Sequence, residues 1–235
     1  TSSKDGGRSV VLTGQGARAE IESDTRDITV NGLRVFLGNP VMAVGGRLYV
    51  SKIDLERCLT PLLRPGLGAA PLPRPKVIAL DPGHGGKDHG KINDRLKINE
   101  KTFTLDTALR LRTLLEAAGF RVVMTRDDDS FPELQQRAAV ANAASADLFV
   151  SIHFNALEKD TMTSGVELYT FAPQFQNSTN AWSPGEKPDA ELEPASVNAF
   201  DHWSVALAQP LHRELLAALK VPDRGKKLMH LGVLR

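Results

Sequence analysis

Residues 77–86 read VIALDPGHGG, a run of β-forming apolar residues that leads directly into a glycine-rich turn. A short apolar run bounded by turn residues is typical of a buried strand. The turn that follows it carries His84. Because ligands of open α/β sheets bind at the carboxyl ends of the strands, this stretch predicts such a strand with a candidate functional histidine at its end.

The chain after this turn alternates between helix and strand patterns. Apolar residues at helical spacing predict a helix over residues 99–118, which Gly119 ends. The further predicted elements are a strand over 120–125, a helix over 132–144, and strands over 147–154 (DLFVSIHF) and 165–171 (GVELYTF). The alternation predicts an α/β fold, with a mostly parallel sheet flanked by helices.

Two further features close the predicted layout of this region. Residues 172–195 are rich in Pro, Asn, Ser and acids, which is typical of a long loop or insertion. Ser196 is predicted to cap a final helix that reaches about residue 220.

Residues 1–63 have a different character. Short β-like runs broken by turn pairs such as Asn31-Gly32 predict a small β-rich module, and Ser51 can cap a short helix at its end. Residues 64–75, RPGLGAAPLPRP, predict an extended linker because Pro and Gly defeat both helix and strand. We therefore expect a module over 1–63, a linker over 64–75 and a larger α/β domain over 76–235.

Charge and cysteine content exclude several classes of protein. The chain has 29 Lys and Arg against 28 Asp and Glu, a formal net charge of +1, which argues against nucleic acid as a partner. No stretch approaches the ~20 apolar residues of a membrane span. The single cysteine, Cys58, excludes an internal disulfide and a cysteine-based metal cluster, and its apolar neighbours predict a buried thiol.

A second histidine, His153 in SIHFNA, ends the most apolar strand of the chain. Two histidines from strand ends that meet at one sheet edge can share a metal ion. The glycine-rich turn could instead bind phosphate, although neither GxGxxG nor GxxxxGK[ST] occurs. Catalytic zinc usually takes three protein ligands, so a carboxylate is also required. The candidate is Glu100, whose alternative role is to offset the dipole of the helix it opens.

Together these motifs resemble the zinc-dependent N-acetylmuramoyl-L-alanine amidases of family 3, which are bacterial cell-wall hydrolases. The blocks that carry the resemblance are IALDPGHGG, NEKTFTLDTALRLRTLLEAAGFRVVMTR, LQQRAAVANAASADLFVSIHFNA and SGVELYT. The resemblance covers residues 76–235 and implies a Zn²⁺ ion held by His84, Glu100 and His153. The other histidines match no ligand position of the family: His89, His202, His212 and His230.

Other residues take supporting roles. Asp81 is expected either to hydrogen-bond a ligating histidine or to serve as a turn residue at the strand end. The resemblance implies that Asn155 contacts the substrate. Arg126 and Arg137 are predicted to form structural ion pairs with nearby acids.

The family uses a glutamate as general base, on a strand that follows a block resembling the present DRGKKLMHLGVLR. This base is therefore expected beyond Arg235, and Glu167 is a weak substitute for it. The resemblance implies hydrolysis of the amide between N-acetylmuramic acid and L-alanine in peptidoglycan. The alternative is a zinc-binding but catalytically impaired peptidoglycan-binding or regulatory protein that keeps the amidase fold.

The resemblance also bears on location and partners. It implies action in the periplasm or cell envelope after export, directed by a signal peptide that is not in this chain. Peptidoglycan is the expected partner, and an activator protein is a further candidate. The β-rich module resembles, weakly, small N-terminal modules of some cell-wall enzymes, which implies wall binding, partner binding or a spacer role.

Overall fold

The computed structural model describes residues 2–4, 8–14, 16–67, 74–156, 162–179 and 200–234. The chain divides into two compact units. The first unit comprises Thr1–Leu72 and Ser164–Leu231, and the second unit comprises Pro73–Thr163 and Gly232–Arg235. No helix among the described residues is both long enough and apolar enough to span a bilayer.

The described secondary structure consists of short strands and five helices, two of which are joined. The strands are β1 (Ser2–Lys4), β2 (Ser9–Gly14), β3 (Ala17–Glu22), β4 (Asp27–Val30), β5 (Leu33–Phe36), β6 (Met42–Val44), β7 (Arg47–Tyr49), β8 (Val77–Pro82), β9 (Ile92–Asn93), β10 (Ile98–Asn99), β11 (Arg121–Met124), β12 (Leu148–Ile152), β13 (Val166–Phe171) and β14 (Asp223–Met229). The helices are α1 (Lys52–Asp54), which continues through a π-helical turn (Leu55–Leu59) into α2 (Thr60–Leu63), α3 (Glu100–Ala117), α4 (Leu134–Ala143) and α5 (Asp201–Leu219), and a 3₁₀ turn (Gly232–Leu234) follows.

The second unit contains a parallel three-stranded sheet in which β8 lies between β11 and β12. Ile78, Ala79 and Leu80 of β8 are buried, as expected for a central strand covered on both faces. The register pairs Ile152, the last residue of β12, with Pro82, the last residue of β8. The segments that carry the two candidate histidines therefore leave the sheet side by side.

Helix α3 connects this edge of the sheet back to its opposite end. It spans Glu100–Ala117, within one residue of the prediction at each end. Thr104 and Ala108 lie one turn apart and are both fully buried, which is the periodicity of a helix that packs one face against a sheet. Gly119 follows with a φ of 90° and ends the helix.

The first unit contains a seven-stranded sheet with the order β1–β2–β3–β4–β5–β14–β13. Strands β1 to β5 form an antiparallel meander, whereas β5, β14 and β13 run parallel. Ser51 caps α1 by accepting a hydrogen bond from the amide of Asp54. Cys58 is fully buried in the core with Val30, Val35 and other apolar residues, and burial raises the pKa of its thiol. The predicted buried thiol is thus confirmed.

We predicted a division of the chain at the linker of residues 64–75. The compact units differ from this division, because the first unit also contains Ser164–Leu231. We expected the strand over 165–171 to lie in one sheet with residues 77–82, but β13 pairs with β14, and Lys226 of β14 pairs with Val35 of β5. The reason is that β5 would otherwise end the meander as an open edge with unpaired backbone groups, which β14 satisfies. The sequence did not predict β14, because four of the seven residues in DRGKKLM are charged.

Part of the predicted C-terminal layout lies outside the described residues. This applies to the Ser196 cap and to residues 180–195 of the predicted loop. Residues 172–179 are described, and both Ala172 and Gln176 are fully buried. Helix α5 is described from Asp201 onward.

Candidate metal centre

Three side chains with metal-ligand chemistry converge just beyond the carboxyl ends of β8 and β12. The facing atoms are Nε2 of His84, Nδ1 of His153 and Oε1 of Glu100. His84 Nε2 lies 3.1 Å from His153 Nδ1 and 3.2 Å from Glu100 Oε1, and His153 Nδ1 lies 3.3 Å from the same oxygen. The structure therefore brings together the three ligand candidates chosen from the sequence, as a group that could hold a metal ion.

The dimensions of this triangle fit a four-coordinate ion. Zinc bonds to imidazole and carboxylate are about 2.0–2.1 Å long, which makes the edges of a tetrahedral site about 3.3–3.4 Å. An octahedral site with the same bonds has shorter edges, about 2.8–3.0 Å. Two of the observed edges, 3.2 and 3.3 Å, lie closer to the tetrahedral values, and the third, 3.1 Å, lies between the two ranges. Three protein ligands would leave a fourth position open for water or substrate.

Glu100, the first residue of α3, is the candidate anionic ligand. Its side chain is only 6% exposed, and its carboxylate accepts hydrogen bonds from the amides of Lys91 at 3.0 Å and Phe154 at 2.7 Å. Burial alone raises the pKa of this carboxyl, but the hydrogen bonds from His153 and the two amides, with the charge of His84, lower it to about 2. Glu100 is therefore ionised at neutral pH.

His84 lies in the turn with a φ of 63°, in the left-handed region. Backbone strain of this kind, in a residue other than glycine, is found mainly at functional sites. Its Nδ1 lies 2.9 Å from Oδ2 of Asp88, and the other oxygen of Asp88 accepts a hydrogen bond from the Gly90 amide. Burial raises the pKa of Asp88, but these two hydrogen bonds lower it below its ordinary value. Asp88, which sequence reasoning missed, thus holds the His84 ring with Nε2 toward the other ligands.

Of the two roles expected for Asp81, the histidine partner is wrong: Asp81 lies next to the last residue of β8, and its described partners are other side chains. The described hydrogen bonds of its carboxylate come from Thr125 Oγ1 at 2.6 Å, Arg137 Nη1 at 2.7 Å and Ser151 Oγ at 2.7 Å. Ser151 is its register partner on β12, and Thr125 directly follows β11. The buried carboxylate therefore ties the three strands together at their ends, on the side of the sheet that Arg137 covers.

Arg126 and Arg137 hold the backbone of the histidine-bearing turn. Arg137 forms the predicted ion pair, with Asp81, and also donates to two carbonyl oxygens of residues 82–84 at 2.8 and 2.9 Å. Arg126 was expected to pair with an acid, but its described hydrogen bonds include two carbonyl oxygens of the same segment, both at 2.9 Å. Both guanidinium groups are buried. Their hydrogen bonds to the carbonyl oxygens hold the strained turn in place.

Gly83 and Gly90 provide the space in which the ligands meet. A Cβ atom at Gly83 would lie 2.3 Å from the ring of His153. One at Gly90 would lie 2.6 Å from the ring of His84 and 2.8 Å from the Cβ of Glu100. Because Cβ atoms essentially never approach other atoms this closely, any side chain at either position would displace one of the three candidate ligands.

The remaining candidate residues are distributed over both units. Asn155 is exposed, two residues beyond His153. Glu167 belongs to β13 of the first unit, where its carboxylate accepts a hydrogen bond from Lys227 and lies 3.7 Å from Arg224. The other histidines are distributed as follows: His89 is exposed in the second unit, and His202, His212 and His230 belong to the first.

Comparison with known proteins identifies relatives that share this region. The family model described as N-acetylmuramoyl-L-alanine amidase matches residues 78–235. N-acetylmuramoyl-L-alanine amidase AmiC of Escherichia coli is 43% identical over 133 residues, which is 56% of this chain. The match covers 31% of AmiC, so the chain spans less than a third of the length of that relative.

Solved amidase structures share the fold. The catalytic domain of CwlV, an N-acetylmuramoyl-L-alanine amidase from Bacillus (Paenibacillus) polymyxa var. colistinus, is 32% identical, with a TM-score of 0.52 over 68% of this chain and 73% of that one. The CwlD amidase of Clostridioides difficile, solved in complex with the GerS lipoprotein, is 27% identical, with a TM-score of 0.52 over 68% and 76% of the two chains. Because the family match spans more than half of the chain and includes all three residues of the triangle, the chain belongs to the N-acetylmuramoyl-L-alanine amidase family.

Proposed function

We propose that this protein hydrolyses the amide between N-acetylmuramic acid and L-alanine in peptidoglycan, with Zn²⁺ held by His84, Glu100 and His153. The observation that carries the proposal is the triangle of two imidazole nitrogens and one carboxylate oxygen, with edges of 3.1–3.3 Å. This donor set and spacing suit Zn²⁺ with an open position. The family of the chain supplies the reaction class.

When bound, Zn²⁺ would polarise the scissile carbonyl and lower the pKa of a water molecule to about 7. The residues of the chain prepare the site for this chemistry. Glu100, with its pKa near 2, keeps a negative charge among the ligands. Asp88 would accept a hydrogen bond from the Nδ1–H group of His84, which leaves the lone pair of Nε2 available. Arg126 and Arg137 keep the ring in position by holding the turn carbonyls.

Substrate, location and partners follow from the family. Peptidoglycan lies outside the cytoplasm, so we propose that the protein acts in the cell envelope or periplasm. The CwlD amidase was solved with a lipoprotein, which supports the proposal that an activator protein regulates this chain as well. The family match runs through both compact units, so the activity is proposed for residues 76–235 rather than for the second unit alone.

A second candidate function is zinc and peptidoglycan binding with impaired turnover. Proton transfer to the leaving amine requires an acid–base group besides the metal ligands. Glu167, the substitute considered for that role, is engaged by Lys227 and lies close to Arg224. These contacts favour a structural role for Glu167. If no other carboxylate serves as base, they support a protein that binds zinc and peptidoglycan with impaired turnover.

Metal analysis combined with a turnover assay tests both candidates. The full chain is purified, its zinc content is measured by mass spectrometry, and dye release from labelled sacculi is followed. We expect about one zinc per chain in the wild type and none in His84→Ala or His153→Ala. His89→Ala is the matched control, since this histidine is exposed in the same loop and should retain full zinc.

The outcomes separate the candidates cleanly. Zinc binding with dye release that both ligand variants lose supports the amidase. Stoichiometric zinc without dye release supports the binding protein. Full zinc content in both His84→Ala and His153→Ala would overturn the metal assignment.

A further inference from the structure

Two phenylalanine rings stand directly beside the metal ligands. Phe154 follows His153 in the chain, and its amide donates a 2.7 Å hydrogen bond to the carboxylate of Glu100. Phe103 lies three residues after Glu100 on α3, hence on the same side of that helix. The ring centroids are 6.1 Å apart at an interplanar angle of 62°, an edge-to-face pair. Both rings are thus tied to backbone segments that carry ligands.

These rings are exposed, unlike the other phenylalanines of the second unit. Phe103 is 42% exposed and Phe154 is 48% exposed. The described phenylalanines elsewhere in this unit, Phe120, Phe131 and Phe149, are less exposed. Leaving large apolar surface in water is unfavourable, and aromatic side chains that line a binding site are a common reason for it. The exposed pair therefore marks a contact surface next to the metal ligands.

The proposed substrate offers two kinds of group near its scissile amide. On one side lies the pyranose ring of the muramyl residue, whose C–H face is comparable in area to a phenyl ring. On the other side lies the stem peptide, which begins with L-alanine and presents a single methyl group before its polar backbone. Two adjoining aromatic rings match the ring face better than the methyl group, because apolar contact scales with the area removed from water.

We propose that Phe103 and Phe154 form a binding surface for the saccharide ring of the muramyl residue. This inference rests on the proposed amidase function and adds the side of the substrate that the two rings recognise. It assigns the rings a role in substrate binding, separate from metal binding, since neither side chain is a metal donor.

Paired probes test which part of the substrate the rings contact. The zinc-loaded full chain is titrated with N-acetylmuramoyl-L-alanyl-D-isoglutamine and with the same dipeptide carrying a lactoyl group in place of the muramyl residue. The dissociation constant is measured for each, or KM where a probe is hydrolysed. We expect Phe103→Ala and Phe154→Ala each to weaken binding of the muramyl probe by about threefold to tenfold and to leave the lactoyl probe unchanged.

Controls keep this test separate from the proposed function. Leu114→Ala removes an exposed apolar side chain farther along α3, 68% exposed, and should change neither probe. Zinc content should stay at the wild-type level in every variant. An equal loss of affinity for both probes would assign the rings to the peptide side of the substrate. No loss of affinity for either probe would show that the rings do not bind substrate. Either result would overturn the inference. A wild type that binds neither zinc nor probe would instead overturn the proposed function.

Discussion

Both compact units bury charged side chains, and two of these charged groups, one from each unit, have different surroundings. In the second unit, Asp81 and Arg137 form an ion pair at 2.7 Å. Asp81 also accepts a hydrogen bond from Thr125, and Arg137 also donates one to the carbonyl oxygen of Pro82. In the first unit, Lys226 is 1% exposed, and its Nζ has no hydrogen-bond partner among the described residues. In the described part of the second unit, every buried side-chain nitrogen or oxygen atom has a hydrogen-bond partner.

The comparison is between a buried ion pair at the candidate site and a single buried lysine whose Nζ makes no hydrogen bond among the described residues. A buried charge is tolerated when opposite charge and hydrogen bonds offset its desolvation. In the second unit the offsetting partners lie in the turn and at the strand ends that carry the candidate ligands. In the first unit, burial lowers the pKa of Lys226 more than the nearby Cys58 and Asp54 raise it, so the charge of this lysine is only partly compensated.

The largest expected effect comes from breaking the compensated pair. Asp81→Ala would leave the guanidinium of Arg137 buried beside the turn without its counter-charge. We expect a loss of about 3–5 kcal/mol in the free energy of unfolding, measured by urea denaturation. Asp106→Ala is the control, because its ion pair with Arg110 is exposed to solvent and should contribute little to the free energy of unfolding. Equal effects of the two substitutions would contradict the contrast between compensated and exposed charge.

Asp88→Asn tests whether the second unit's polar groups act on the metal rather than on the fold. The amide keeps the size of the side chain but weakens its hold on Nδ1 of His84. We expect zinc affinity to fall by about 10–100-fold while the unfolding midpoint changes little, measured by competition with a chelating dye. Asp94→Asn, at an exposed position of the neighbouring hairpin, is the control and should keep wild-type affinity.

Removing the partly compensated charge of Lys226 should change stability in the opposite direction. Lys226→Met is expected to stabilise the protein by about 1–3 kcal/mol. Because the folded pKa of Lys226 is lowered, the wild type should gain stability as pH rises toward about 10.4, and the variant should lack this gain. Lys227→Met is the matched control, since this lysine bonds Glu167 and its loss should destabilise. Destabilisation by both substitutions would mean that Lys226 has a partner.

The smallest effect concerns a second poorly compensated group of the first unit. Burial raises the pKa of Asp201 to about 6, against a slight lowering by Arg57. The folded state therefore holds this proton more tightly, and stability should fall as pH rises from about 4 to 6. With allowance for solvent screening, Asp201→Asn should gain about 1 kcal/mol above this range and nothing below it. Thermal unfolding across pH measures this, and a parallel shift at all pH values would refute it.

The sequence could identify the ligand candidates because their placement depends on local rules. His84 and His153 follow apolar strands, and parallel strands end at one edge of a sheet. Glu100 opens a helix with a clear periodicity. Asp88 could not be found in this way, since its contact with His84 depends on the positive φ of that histidine.

Contacts between distant parts of the chain were harder to predict. Arg126 stands before three aspartates, which suggested an ion pair, yet its described partners include backbone carbonyls that no side-chain pattern reveals. The position of β13 and β14 depends on pairing with β5, nearly two hundred residues earlier, as in the register Lys226↔Val35. Such pairing is set by backbone groups, which carry no signature in the sequence.

The in-register pairing of β8 with β12, from Leu148↔Ile78 to Ile152↔Pro82, limits how this gene can change in length. Side chains of a strand alternate between faces, so one inserted codon would turn every following residue of that strand over. In a library of single-codon insertions, variants with an insertion within residues 77–82 or 148–152 should therefore fail to retain zinc. Insertions at residues 94–97, in the exposed hairpin turn, should be accepted, which makes that turn the natural place to attach a reporter peptide.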